Sequence, residues 1–152
     1  MKESIQLKRT HIEGTIHKRA PLRPAASIDN IYIANKTKVQ VIINRVKRLM
    51  ISEKYATISI HGMGPLIPRA IIIAQGSQRA LENQVNLQMT TNTVTLFDDI
   101  IPDDMDLDIE TQQRQISTIR IDIIAKPGLK NLQNGANMID RRPSRNRKLK
   151  YP

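Results

Sequence analysis

Apolar positions fall along this chain in two rhythms. Ile31-Tyr32-Ile33 is a short apolar, β-prone run and predicts a buried strand. After it come Val39, Ile42, Ile43, Val46, Leu49 and Met50, whose spacing draws one stripe along an amphipathic helix. Thr37-Lys38-Val39-Gln40 has the Thr-x-x-Gln form of a capping box and predicts the start of that helix at Thr37. From Ala56 to His61 the chain alternates, with Ile58 and Ile60 on one face and Thr57 and Ser59 on the other, a second strand. It runs into the turn His61-Gly62-Met63-Gly64-Pro65, and a second helix is expected from Pro65 or Leu66 to Glu82. The apolar set of that helix (Ile67, Ala70 to Ala74, Leu81) is wider than one stripe, so it should pack on more than one side. Gly76 inside it costs about 1 kcal/mol relative to Ala, which a close helix–helix approach would explain.

Val85, Leu87 and Met89 alternate, then Val94 and Leu96 continue on the opposite parity. The flip near Thr91-Asn92 predicts either a bulge in one long strand or a turn between two. Ile119, Ile121 and Ile123 alternate as the last strand. The expected fold class is α/β: a two-layer β-α-β-α-β-β sandwich with a mixed four-stranded sheet and two helices.

Composition narrows the choice. The chain has 152 residues, a formal charge of +10 and no cysteine. That removes disulfide frameworks, thiol nucleophiles and cysteine-held metals. The longest apolar run, Ala70–Ala74, is far short of the roughly 20 residues of a membrane-spanning helix. Bases at Lys8, Arg9, Lys18, Arg19 and Arg23 leave no secretory leader in the first stretch. Four aromatics (Tyr32, Tyr55, Phe97, Tyr151) are too few for the stacking sheet of an RRM or OB-fold.

Charge divides the chain. Residues 1–27 hold six bases and two acids, and residues 126–152 hold eight bases and one acid. Both ends are expected to be basic, flexible segments, 1–27 as an arm and 127–152 as a tail, because neither can bury enough apolar surface to offset chain entropy. They serve as solvated disorder, as an electrostatic arm for nucleic acid or as a nuclear-import segment. The domain proper is expected over 28–126, with an acidic loop at 98–115.

With the elements in this order, four pieces of sequence together resemble the Alba superfamily over Asn30 to Lys126. They are Ile31-Tyr32-Ile33-Ala34-Asn35-Lys36-Thr37; His61-Gly62-Met63-Gly64 with Ile67-Pro68-Arg69-Ala70-Ile71; Thr91-Asn92-Thr93-Val94; and Ser117-Thr118-Ile119-Arg120-Ile121. Tyr-Ile-x-Asn-Lys-Thr combined with His-Gly-x-Gly-x-x-Ile-x-Arg-Ala-Ile is similar to one branch, the smaller Alba-type subunits of eukaryotic nuclear ribonuclease P and ribonuclease MRP.

The resemblance implies a nuclear and nucleolar, non-catalytic RNA-binding subunit. It would pair with a second, larger Alba-type subunit, beside the other protein subunits of the holoenzyme. The pair would clamp a helical and internal-loop region of the ribonuclease P or MRP RNA, supporting tRNA 5′-leader and rRNA precursor processing. That RNA carries catalysis, and no cofactor or metal is expected in this chain. Telomerase RNA is a further partner of some members. Unlike chromatin-type relatives, this chain has seven acids between Asp98 and Glu110, which repel phosphate.

RNA contact is therefore expected at two strand-to-helix loops. Asn35, Lys36, Thr37 and Lys38 lie where free helix amides and lysines attract phosphate. His61, Gly62, Gly64 and Arg69 form the second loop: the glycines permit close approach, and Arg69 can fork onto a phosphate. His61 is equally an ordinary hydrogen-bonded strand-end histidine. The glycine turn lacks the Lys-Ser/Thr ending of a nucleotide P-loop. Arg45, Lys47, Arg48 and Lys54 read as a solvated helix face or a secondary basic surface. Ile67, Ile71, Ile72 and Gly76 are the candidate partner interface, against a doubly buried helix within one domain.

Two rivals remain open at this level. One is a general Alba-type chromatin or RNA-coating protein. The other is a nuclease holding metal on Asp98, Asp99, Asp103 and Asp104.

Overall fold

The alternating isoleucines become the inner face of a sheet and the helical stripe becomes its cover. The computed structural model describes residues 14–20 and 26–140. Its elements are β1 (Gly14–Lys18), β2 (Asn30–Tyr32), α1 (Val39–Ile51), β3 (Thr57–Met63), α2 (Ile67–Ala80), β4 (Val85–Pro102), β5 (Glu110–Ala125) and α3 (Leu129–Asp140), with a 3-10 turn at Gly64–Leu66. The strands run β1-β4-β5-β3-β2 across a five-stranded mixed sheet. The α/β class is as expected, with one strand and one helix more than the sequence pattern gave.

Contacts divide the chain into two units. The larger holds 26–92 and 117–140 of the described residues. In it β2 and β3 are parallel, as a β-α-β crossover requires, and β5 pairs antiparallel to β3. β5 lies between β3 and β4, so the second crossover skips one strand. Ile58, Ile60, Ile121 and Ile123 are wholly buried on one sheet face. Val46, Leu49 and Met50 of α1 and Ala70, Ile73 and Ala74 of α2 close over it.

Local details differ from the sequence reading. The capping box does not form: α1 begins at Val39 behind Lys38, with no side-chain cap. Asn35 and Lys36 form a turn in which the Thr37 amide donates to Ala34 O at 3.2 Å, while Gln40 bonds Asn44 instead of reaching back. Gly76 does mark a close helix approach, but inside the chain. A Cβ there would lie 2.5 Å from Ile43 Cδ1, so the close approach is to α1 of the same chain. At the end of α2, Glu82 and Asn83 take left-handed φ of 53° and 58°, doing without the usual glycine.

The smaller unit holds 14–20 and 93–116 of the described residues. The parity flip near Thr91-Asn92 lies within one long strand, β4. Two expectations are corrected here. Part of the N-terminal arm is strand: β1 pairs antiparallel with β4 from Gly14↔Pro102 to Lys18↔Asp98. Most of the expected acidic loop at 98–115 is also strand, so that only 103–109 connects β4 to β5. The reason is complementarity that charge counts taken separately for each segment conceal. Arg19 forks onto Asp99 with Nε–Oδ2 at 2.7 Å, and Arg114 Nε bonds Asp98 Oδ2 at 2.7 Å.

Part of the expected C-terminal tail is ordered as well, because α3 anchors in the larger unit through Leu129, 1% exposed. The stretches 1–13 and 141–152 of the two expected basic ends lie outside the described residues.

Candidate nucleic-acid interface

Because β2 and β3 are parallel, with Tyr32 beside His61, both strands deliver their following loops at the same end. Arg69, in the first turn of α2, crosses between the loops: its Nη1 donates to Asn35 O at 2.8 Å. The two predicted loops are thus joined by one cation. A guanidinium has five N–H donors, so the fork keeps donors for an anion after this bond.

Lys36 and Lys38 are exposed on the first loop, and Thr37 between them is half-buried. Neither α1 nor α2 has a side-chain cap or an acid in its first turn. The leading amides of α1 therefore retain donor capacity and a positive dipole end, whereas α2 continues from the 3-10 turn, with the Ile67 amide bonded to Gly64 O and Pro68 carrying no N–H. Three cations and the uncapped start of α1 at one end of a parallel strand pair make a phosphate-attracting surface.

The structure sorts the remaining candidates. Gly64 carries a positive φ of 51° and opens the 3-10 turn. Gly62 is buried, and a Cβ there would meet Ala70 Cβ at 2.9 Å and Leu66 O at 3.1 Å, so this glycine admits α2 rather than a ligand. His61 Nε2 donates to Asn30 Oδ1 at 2.9 Å, and its ring stacks on Tyr32 with centroids 4.6 Å apart. Both contacts are those expected of a hydrogen-bonded strand-end histidine, and the side chain stays partly exposed. Within α2, Ile67 and Ile71 are half-buried against the core, and Ile72 is 55% exposed.

Sequence reasoning passed over the polar sheet face. In register, Ser59 sits opposite Asp122 and His61 opposite Arg120. Ser59 Oγ donates to Asp122 Oδ1 at 2.6 Å, and Arg120 Nε donates to the same oxygen at 3.0 Å. Burial pushes the Asp122 carboxyl up, but the Ser59 hydroxyl and Arg120 outweigh it and hold it below its ordinary value. The signal was present as the polar positions between Ile119, Ile121 and Ile123.

The nuclease arrangement is not built. Asp98 and Asp99 are consecutive on a strand, so their side chains take opposite faces, each toward its own arginine. Among the described residues no group of three or more His, Asp or Glu side chains is placed to hold a metal ion.

Comparison with known proteins completes the description. The family model described as "Rpp20 subunit of nuclear RNase MRP and P" matches residues 26–122. Ribonuclease P protein subunit p20 of Mus musculus is 29% identical over 123 residues, covering 78% of this chain and 88% of that protein. The Homo sapiens protein of the same name is 30% identical over 115 residues, covering 72% of this chain and 82% of its own length. Among solved structures, ALBA1 from Trypanosoma brucei superposes with a TM-score of 0.51 at 12% identity, over 77% of this chain and 89% of that one. That likeness shows the fold.

Proposed function

Since this chain belongs to the family of Rpp20 subunits of nuclear RNase MRP and P, we propose that it is an RNA-binding, architectural subunit of that ribonucleoprotein which grips folded RNA through its paired basic loops. The observation that carries the reading is the Arg69–Asn35 bond, which makes one cationic surface of two loops far apart in sequence. Lys36 and Lys38 supply long-range attraction, Arg69 the forked contact, and the amides of α1 the short-range donors. The RNA performs cleavage, and this chain holds a helical or internal-loop region of it in place.

A second Alba-type subunit docks on the exposed side of α2 around Ile72, extending the surface that meets RNA. Nuclear and nucleolar residence and a part in tRNA and rRNA precursor processing follow from this assignment.

The test is binding of the full chain to ribonuclease P and MRP RNA across a salt series. Lys36→Ala with Lys38→Ala should lower affinity about tenfold and reduce the slope of log K against log salt by about 1 to 2. An unchanged affinity and slope would place the contact elsewhere. Ile72→Asp, at an exposed position, should abolish association with the second subunit in gel filtration while leaving the melting temperature within a degree or so.

A further inference from the structure

A cavity of about 390 Å³ opens at the start of β3, the end away from the loop pair. Seven residues of β3 separate the two, about 20 Å of extended chain. Lys54, Lys126 and Lys130 line it from three different segments, with Tyr55, Pro127 and Leu129 among the other walls, and no acidic side chain is in the lining.

The walls are held by the core. Lys54 takes a left-handed φ of 59° as the chain leaves α1, and the Tyr55 amide donates to Leu49 O at 3.1 Å. The Ala125 amide donates to Ala56 O at 2.9 Å, fixing β5 beside the entrance. Lys126 Nζ is steadied by Asn83 O at 3.2 Å. Across the cavity α3 is pinned by the buried Leu129 and by Gln133 Nε2 donating to Met50 O at 2.8 Å. The nearest acid in sequence, Glu53, turns toward Arg48 at 3.9 Å. Lysines from three segments, with no acid among them, make the lining cationic and favour an anion.

We propose that this cavity takes one unpaired nucleotide of the bound RNA, with its phosphate among the lysines and its base against Tyr55. The volume lies within the range of small-ligand sites, about 300–1,000 Å³. A bare phosphate would leave the Tyr55 and Pro127 walls unused, whereas a base covers them by stacking and apolar contact. Lys126 and Lys130 lie beyond residue 122, where the family match ends. The inference rests on the RNA-binding reading above and makes the contact bipartite, with two anchor points on one face-to-end ruler set by β3.

The experiment uses the full chain and transcribed ribonuclease MRP RNA bearing 4-thiouridine. Lys54→Ala with Lys130→Ala, both at exposed positions, should weaken binding about five- to tenfold and lower the salt slope by about 0.7 to 0.9, the share of one phosphate. Its effect should multiply with that of Lys36→Ala plus Lys38→Ala, because the sites share no residue. Photocrosslinking should label the peptide that contains Tyr55. Unchanged affinity and slope in the Lys54/Lys130 variant, with no crosslink there while the loop variant still weakens, overturns the cavity alone. If the unmodified chain ignores the RNA, the cavity and the RNA-binding reading fall together. Protection of Lys54 and Lys130 from acetylation by AMP but not by RNA gives the cavity to a free nucleotide and overturns the proposal. Protection by poly-glutamate but not by RNA gives it to an acidic protein segment and overturns the proposal equally.

Discussion

The two units of this chain use different physics on strands that run through both. In the larger unit, β3 and β5 bury Ile58, Ile60, Ile121 and Ile123 completely beneath two helices. In the smaller unit, the same β5 and the far part of β4 bury little apolar surface, chiefly Leu96, and two arginine–aspartate pairs, one joined by the Thr111 hydroxyl, make the side-chain bonds between strands. Asp98 is 7% exposed and meets Arg114, and Asp99 meets Arg19. Burial of hydrocarbon is non-directional and supplies stability. Paired charges supply register instead: β1 lies on β4 in the one alignment that brings Arg19 to Asp99. A one-residue slip would send every side chain to the opposite face.

The sharpest way to break this comparison is to remove core from the larger unit. Ile121→Ala should cost about 2–5 kcal/mol and lower the main melting transition by many degrees. Calorimetry showing a loss below about 1 kcal/mol would mean that the sheet is not the centre of stability.

Next in size is Arg114→Met, which leaves the Asp98 carboxylate buried without its partner. Asp98 Oδ1 already lacks a hydrogen-bond partner, so the remaining oxygen depends on this arginine. Because Arg114 is itself 37% exposed, we expect about 2–3 kcal/mol, below the cost for a fully buried pair. Hydrogen exchange should show faster opening of residues 94–116 with the core strands unchanged. Equal acceleration in both units would erase the distinction.

Gly62→Ala should follow at about 1–3 kcal/mol, since its methyl meets Ala70 Cβ and the Leu66 carbonyl, neither of which can swing away. Chemical denaturation of this variant beside Gly76→Ala sharpens the point. At Gly76 the obstacle is the tip of Ile43, a side chain that can turn, so that cost should be smaller.

The smallest expected effect is acid sensitivity. The folded pKa of Asp122 is depressed, so the unfolded chain takes up the proton first. Its contribution is fully present above the ordinary carboxylate value of 3.8 and is lost as pH falls from there through the folded pKa. Asp122→Asn should flatten the acid limb of melting temperature against pH. Asp99 is depressed by its hydrogen bond to Arg19 in the same direction, and Arg19→Gln should change that limb less because the pair is exposed.

Local periodicity made much of this legible. The 3.6-residue stripe of α1 and the alternations of β3 and β5 are properties of short windows, and the elements appear where those windows place them. Lys36, Lys38 and Arg69 could be singled out because charge next to a helix start is local too. What a window does not contain is a partner from another part of the chain. The Arg19–Asp99 fork spans 80 positions and the Arg69–Asn35 bond 34. Segment-by-segment charge counts therefore read a strand as an arm and a paired edge as a repelling loop. Gly62 read as a turn residue open to a ligand until the packed helix showed that it makes room for Ala70 and Leu66, and the close approach expected at Gly76 is to Ile43 of the same chain.

By itself, then, the sequence determined the element types, the inner faces of strands and helices, and the family to which the loops belong, because each depends on residues within a few positions of one another. Tertiary structure alone decided the strand order, the joining of two loops by Arg69, the histidine's contacts with Asn30 and Tyr32, and the gathering of Lys54, Lys126 and Lys130 around one cavity. Those outcomes depend on which distant segments touch, and that is set by the packing of the whole core.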